Sequence, residues 1–534
     1  MTPQSNSPGK MDEEMLRAHT FQQLLSAASD RFGDQAFLLD DPALGSLSYT
    51  DVLRFATGLD AWLDKSGVPP GAYVATLLHN CGLAALLFLS IIACRRVLVP
   101  INPLSSQYEL DYALDRARCV AVIADPAHAR ATDHGARKTL LVPNHRAFFN
   151  NLCSHPNNSS ATLLDWDRDD VFAGEVVFTS GSTGRPKGIV LSERSLLVNA
   201  SSLARVYDLR RGDRFLTVCP LFHNSGQVFT TLACAMTGGS TVAIKSDVGM
   251  LKFWSYVNKY QVHWAFGMNS FLALLLSKPE GPKHPEILRA LLTGGSAIDG
   301  SLVERFETRF KVPIRTVYGL TETSSISTCE FLDPEQRSLG SSGRPLPTCQ
   351  VAIDPQRNTD ETRSHRSQGE IWIAGPHLFE WYIGDMDLTL RRKHGGWLRT
   401  GDVGYYDENG NLFVVDRSDS MLIVGGENVY PAEIEKLGVL LPNAGEVIVT
   451  GVDHAIWGKE LVLVYKVDGD ASPSTAVWHR ILAENLSAAK IPQRYVSISD
   501  LELEDFPRKA NGKLDRPAIA SLVSGHVRSA DRHR

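Results

Sequence analysis

The chain has 534 residues, 43% of them apolar and 21% charged, which is the balance of a globular protein large enough for more than one domain. Its net charge of −6 leaves no basic footprint for nucleic acid or for an anionic membrane surface. The eight cysteines (81, 94, 119, 153, 219, 234, 329 and 349) are scattered without a Cys-x-x-Cys pair, which argues against a zinc site or disulfide framework and for a reducing compartment. The opening MTPQSNSPGKMDEEML is polar and acidic rather than a signal peptide, and the closing Asp-Arg-His-Arg is no Ser-Lys-Leu address, so the expected location is cytoplasmic.

From Ser48 to Pro103 an amphipathic segment (Tyr49, Val52, Leu53, Ala56, Leu59, Leu63) leads through a Gly-Val-Pro-Pro-Gly turn to a strand at Tyr73 to Leu78. The greasiest run, Leu83 to Cys94, is too short to span a bilayer and is closed by Arg95-Arg96, so it reads as a buried helix before a strand at 97–101. A helix from Glu109 and a strand at Val120 to Ala124 repeat the pattern, which predicts a wound α/β sheet. Residues 126–170 read as a loosely ordered connection. Ser192 is the expected N-cap of a helix with Leu196, Ala200, Leu203 and Tyr207 on one face, and the alternation continues to about residue 292. Between Asp354 and Gly369 the chain is polar and reads as an exposed loop; short strands at 370–374 and 412–416 then suggest a small β unit. Past Asp416 a helix from Pro431, strands at 446–452 and 461–467, a helix at 477–488 and a strand at 495–498 form a self-contained α+β unit. The predicted fold class is therefore α/β, with a large N-terminal domain (1–416) and a small C-terminal α+β domain (417–534).

Residues 176–190 stand out. A short apolar run ends at Phe178 and is followed by Thr179, Ser180, Gly181, Ser182, Thr183 and Gly184, then Arg185-Pro186-Lys187-Gly188 and a second apolar run. Glycines let successive N–H groups turn inward on an anion, and the hydroxyls and two cations add donors and charge, so this loop suits phosphate. A Ser/Gly surface turn is the ordinary alternative. A P-loop is excluded, because it needs Gly-Lys-Ser/Thr opening a helix, whereas Lys187 precedes Gly188 and a strand-like Ile-Val-Leu.

This stretch resembles the signature of the adenylate-forming superfamily of acyl-CoA synthetases, adenylation domains and luciferases. Further stretches match the family in its order: 220–226 (Pro-Leu-Phe-His-Asn-Ser-Gly), Thr293-Gly294-Gly295-Ser296, Tyr318-Gly319-Leu320-Thr321-Glu322, the Thr400-Gly401-Asp402 motif, 416–419, 425–435 and 507–516. The resemblance runs over roughly residues 20 to 520. It implies ATP contacts from the loop at 179–187, from Gly294, Gly295 and Ser296, and from Tyr318 and Gly319 beside the adenine. Thr321 would contact a phosphate oxygen, Glu322 would hold Mg²⁺, and Asp402 and Arg417 would hold the ribose. Lys513 would reach across domains to the reacting carboxylate and α-phosphate, where its charge offsets the charge of the transition state. Asp419 would be the hinge on which the C-terminal domain swings between half-reactions. Each motif read alone has a bland alternative: a solvated Lys513, a turn Asp402, a core Tyr318.

The 425–431 stretch and the 220–223 motif resemble acyl-CoA synthetases more than peptide-synthetase adenylation domains. Gly425 and Gly426 would let a pantetheine arm pass close to backbone. His223, counted among the catalytic residues, would line the acyl pocket with Asn224, Ser225, Gly226, Phe266, Gly267, Met268 and Gly319. Asn224 and Ser225 are polar where aryl and fatty-acyl ligases place apolar residues, which points to a small or polar-substituted acid. The resemblance thus implies an AMP-forming acid–thiol ligase that uses ATP, Mg²⁺ and CoA. The alternatives are loading of the phosphopantetheine arm of a carrier protein, and a catalytically inactive nucleotide-binding homologue.

Overall fold

The computed structural model describes residues 15–131, 137–154, 172–179, 186–245, 248, 251–295, 300–355, 367–417, 422–424, 427–454, 458–468, 473–486, 490–509 and 513–532. By contacts the chain divides into two compact units, one spanning 1–352, 372–400 and 407–412, the other 353–371, 401–406 and 413–534. This division cuts the sequence elsewhere than at 416/417, because the second half of strand Trp397–Tyr406 and nearly all of Leu412–Arg417 cluster with the C-terminal chain.

The first unit holds two large sheets, one of nine strands and one of seven. In the nine-stranded sheet Arg214–Thr217, Trp264–Met268, Ala290–Gly294 and Ile314–Tyr318 run parallel as neighbours. Helices cover it, and the core beneath them joins Leu216, Ala265 and Leu291 to Phe253, Trp254, Phe306 and Phe310. Strands buried on both faces need continuous apolar runs, and Ala-Leu-Leu-Thr-Gly at 290–294 is buried throughout. In the seven-stranded sheet Tyr73–Leu77 pairs in parallel with Val97–Pro100 and Ala121–Ala124, while Ala173–Thr179 pairs antiparallel with Lys187–Ser192. Helix Gly82–Ala93 is buried on nearly every side, as its unbroken apolar sequence requires. Ser192 caps helix Glu193–Val206 through a hydrogen bond from the Ser195 amide, as the sequence predicts.

The connection expected at 126–170 is more ordered than its polarity suggests. Lys138–Leu141 adds an edge strand beside Ala121–Ala124, and Asn144 caps helix His145–Cys153. Phe148 and Phe149 of that helix pack on Phe55 of helix Tyr49–Lys65, a long-range contact that a local pattern does not announce. Residues 155–171 lie outside the described residues.

The second unit contains a five-stranded sheet in which Ala444–His454 pairs antiparallel with Gly458–Val467, and Arg494–Ser497 pairs parallel with the latter. Its two faces bury separate clusters, Ile448, Val462 and Val523 on one and Val449, Leu463 and Trp478 on the other. Among the described residues, no helix of either unit is long and apolar enough to cross a membrane.

Candidate functional site

In open parallel sheets, ligand sites form beyond the carboxyl ends of the strands. In the first unit the expected residues collect at that edge of the nine-stranded sheet. Phe266, Gly267 and Met268 end one strand, Gly294 ends the next, and Tyr318 ends the third, with Met268 in register with Gly294. Tyr318 is 9% exposed, so most of its ring is packed.

Backbone approach explains several glycines here. A Cβ on Gly319 would come within 2.0 Å of the Ser325 carbonyl oxygen, and one on Gly294 within 2.6 Å of that of Val317. Gly295 has φ +88, a left-handed angle that glycine alone takes without strain. Ser296 lies outside the described residues.

After Tyr318 the chain turns through the 3-10 segment Thr321–Thr323. The Asn224 side-chain amide donates to the Thr321 carbonyl at 3.3 Å, which ties the His-Asn-Ser-Gly motif to the Thr-Glu turn. His223 precedes helix Asn224–Gln227 and packs its ring on Phe222 at 4.7 Å. Ser225 is half-buried, and a Cβ on Gly226 would meet the Cys219 carbonyl oxygen at 2.7 Å. The helix then passes directly into a π-helical segment, Val228–Ala233, a form that recurs at functional sites.

Glu322 has a partner that the sequence does not announce. The Tyr382 hydroxyl donates to its Oε1 at 2.7 Å, and the Phe379 amide donates to its carbonyl oxygen at 2.7 Å. Burial first, then the Glu322 charge, pushes the Tyr382 phenol well above its ordinary value, so Tyr382 stays a donor. One oxygen of Glu322 is thereby held by Tyr382. Among the described residues no group of three His, Cys, Asp or Glu side chains could hold a metal alone. A single carboxylate that shares Mg²⁺ with substrate phosphates and waters fits that donor set.

Thr179 and Lys187 pair across the antiparallel hairpin, so the loop at 180–185 leaves and returns at one point. A strand follows Lys187 where a P-loop would have a helix. The loop residues Ser180, Gly181, Ser182, Thr183 and Gly184 lie outside the described residues. Beneath the hairpin, Glu175 is fully buried and accepts from Gln227 Nε2 at 2.6 Å, and the same amide donates to the Leu221 carbonyl at 2.8 Å. This joins the base of the 173–192 hairpin to the helix that carries Asn224. Burial raises the Glu175 carboxyl to about 8, opposed by the Gln227 hydrogen bond.

The second unit brings together Asp402, Arg417 and Lys513. Arg417 donates to Asp402 Oδ1 at 3.0 Å, and Asp402 is 5% exposed. Packing around the end of Lys513 holds its ammonium below the ordinary lysine value; Asp402 opposes this, while Arg417 and Lys509 add to it. Lys513 as a whole residue still keeps exposed surface. The Lys509 amide donates to the Lys513 carbonyl oxygen at 2.8 Å. Asp419, Gly425 and Gly426 lie outside the described residues.

Comparisons with known proteins fit this arrangement. Residues 25–383 match the AMP-binding enzyme family. The sulfoacetate–CoA ligase of Cupriavidus necator is 29% identical over 93% of this chain and 96% of its own length. The 2-succinylbenzoate–CoA ligase of Bacillus velezensis is 33% identical over 66% of this chain and 69% of its own. Among solved structures, ATP-bound MatB from Rhodopseudomonas palustris superposes with a TM-score of 0.84 at 23% identity, covering 95% of this chain and 99% of that one, which speaks for the fold. A match over two thirds of its length, on top of the sheet-edge site, makes this chain a member of the AMP-binding enzyme family.

Proposed function

We propose that this AMP-forming acid–thiol ligase activates a small or polar-substituted carboxylic acid and passes its acyl group to CoA. The observation that carries the substrate reading is Asn224. It is a polar side chain, 4% exposed, at the start of the acyl-side helix, and its amide is held against the Thr-Glu turn. A pocket for a fatty chain or an aryl ring gains nothing from such a group, whereas a second polar substituent on the acid offsets the cost of burying it. The full-length relative named for sulfoacetate, a short acid with a second anionic group, supports the same reading.

In this reading the carboxylate attacks the α-phosphate of ATP to give acyl-adenylate and pyrophosphate, and a thiol then displaces AMP. The loop at 179–187 grips the phosphates, with Lys187 as a supporting charge. Gly294, Gly295, Ser296, Tyr318 and Gly319 frame the adenine, and Asp402 and Arg417 take the ribose. Thr321 contacts phosphate, Glu322 supplies the carboxylate for Mg²⁺, and Lys513 stabilises the charge that develops at phosphorus. His223, Asn224, Ser225, Gly226 and 266–268 shape the acyl side, Gly425 and Gly426 the thiol channel, and Asp419 the hinge of a mobile C-terminal domain. Intact Lys187, Glu322, Asp402 and Lys513 speak against an inactive homologue.

The test is pyrophosphate release with ATP, Mg²⁺ and a panel of acids spanning short polar, medium-chain fatty and aryl members. Turnover is expected with short acids that carry a second polar group. Turnover confined to fatty or aryl acids would sink the substrate reading, and silence across the panel would sink the first step. Acyl transfer to a phosphopantetheinylated carrier protein in preference to CoA would sink the acceptor.

A further inference from the structure

Helix Glu193–Val206 follows the hairpin strand Lys187–Ser192 without a break, and one of its buried faces is polar. Ser195, Asn199 and Ser202 recur at i, i+4 and i+7, so they share that face, and none is more than 1% exposed. Polar groups buried this deeply need partners. The Ser324 hydroxyl donates to Ser195 Oγ at 2.9 Å, and Ser195 donates to the Ser192 carbonyl oxygen at 2.8 Å. Ser202 and Thr348 share a hydrogen bond of 2.7 Å. The Asn199 amide nitrogen donates to the Ile326 carbonyl oxygen at 2.6 Å and to that of Thr323 at 3.3 Å. Two carbonyl acceptors settle which end of the amide faces them. The amide oxygen meets no donor among the described residues, and an unmet buried acceptor argues against a purely stabilising role.

The Ser195 and Asn199 contacts converge on the two residues that follow the Thr321–Thr323 turn. Ser324 sits at φ 54, in the left-handed region, and Ser325 at φ 127, an angle that glycine alone takes readily. Two consecutive side-chain-bearing residues persist in such conformations only where the surroundings over-determine them. Here Asn199 bonds the carbonyl oxygens on either side of the pair, and Ser195 holds the Ser324 side chain. The pair is tied to the residues before it as well. The Ser324 amide donates to the Thr321 carbonyl oxygen at 3.1 Å, and the Ser325 carbonyl oxygen lies where a Cβ on Gly319 would come within 2.0 Å. If the pair relaxed toward ordinary backbone angles, Thr321 and Glu322 would move with it.

We propose that Asn199 is a positioning residue of the ligase: it clamps the strained Ser324–Ser325 pair and thereby aims Thr321 and Glu322 at the phosphates and Mg²⁺. Its helix continues the strand that returns from the phosphate loop, so the clamp ties the two phosphate-side segments to one rigid element. The effect on the reaction rests on the proposed role of Glu322, while the clamp on the turn does not.

The test combines hydrogen exchange on the ligand-free full chain with a Mg²⁺ titration of pyrophosphate release. In Asn199→Ala the peptide covering 320–327 is expected to exchange at least roughly tenfold faster than in wild type. Its kcat is expected to fall about tenfold or more, and the Mg²⁺ concentration for half-maximal rate to rise about tenfold. In a Ser325→Gly background glycine takes the same backbone angle without strain, so Asn199→Ala should there cost about threefold or less in kcat. Ser324→Ala drops only the hydroxyl bond to Ser195; this milder variant is expected to shift exchange and kcat about threefold in the same directions. Wild-type exchange of the peptide in both Asn199→Ala and Ser324→Ala would overturn the clamp. Equal kcat losses from Asn199→Ala in the two backgrounds would overturn the part played by strain. Faster exchange, or a lower melting temperature, with unchanged kcat and Mg²⁺ response would overturn the positioning role. A wild-type Mg²⁺ response in Glu322→Gln would count against the Glu322 reading alone and leave the exchange result to decide the clamp.

Discussion

The Tyr382 hydroxyl donates to Glu322 Oε1 at 2.7 Å, so the carboxylate proposed to hold Mg²⁺ is oriented by a residue sixty positions away. Two consequences separate the residues. Glu322→Gln removes the charge and should lower pyrophosphate release at least about a hundredfold, an effect of roughly 3 kcal/mol at the transition state. Tyr382→Phe removes one hydrogen bond to a charged group, worth about 1.5–3 kcal/mol, and should raise the Mg²⁺ concentration for half-maximal rate about tenfold or more while the protein stays folded. A Mg²⁺ titration of both variants checks this; an unchanged Mg²⁺ response in Tyr382→Phe would remove Tyr382 from the site.

Asp402 and Arg417 are joined at 3.0 Å, with Asp402 buried. Asp402→Ala should raise the KM for ATP about ten- to a hundredfold, as expected for the loss of a charge-assisted hydrogen bond. Because the two residues share a contact, the losses in the Asp402→Ala, Arg417→Ala double variant should be less than additive. Additive losses in a double-mutant cycle on ATP KM would show that the two act independently.

Glu175 gives a pH signature. Its carboxyl is raised by burial to about 8 in the folded chain, against an ordinary value near 4.5. Between these values the folded state holds a proton that the unfolded chain has lost, so stability falls as pH rises through this window and levels off above it. Glu175→Gln cannot ionise and keeps a hydrogen-bonding group for Gln227. It should leave the melting temperature near pH 5 almost unchanged and raise it by a few degrees near pH 8.5. Parallel melting curves for wild type and Glu175→Gln over this range would exclude the buried proton.

Gly319→Ala places a methyl group 2.0 Å from a backbone oxygen, where no side chain can yield. The turn between Tyr318 and Thr321 must then shift, at a cost of about 1–3 kcal/mol, and the acyl and adenine contacts shift with it. KM values for acid and for ATP should both rise, together with a lower melting temperature. A variant with wild-type kinetics would show that the approach at Gly319 is not needed.

Much of this architecture is legible in the sequence where the signal is local. The unbroken apolar run at 83–94 is a buried helix, Ser192 caps the helix it should, and Thr293-Gly294-Gly295 and Tyr318-Gly319 sit at strand ends. What the sequence hides is long-range. The polar stretch after Asp125 contains a strand and a helix because Phe148 and Phe149 find Phe55 some ninety residues back. Asp402, which reads locally as a turn residue after a glycine, lies in a ten-residue strand, Trp397–Tyr406, with Gly401 at φ +70 absorbing the irregularity. The Tyr382 and Gln227 contacts join segments with no shared periodicity.

Activation of the acid is proposed to depend on Lys513, the residue beside Asp402 and Arg417 in the second unit. The most direct measurement compares Lys513→Ala with wild type in two half-reactions: pyrophosphate release from acid and ATP, and thioester formation from supplied acyl-adenylate and CoA. The first is expected to fall at least about a hundredfold while the second stays within a fewfold of wild type. Equal loss in both, or pyrophosphate release at the wild-type rate, would contradict it.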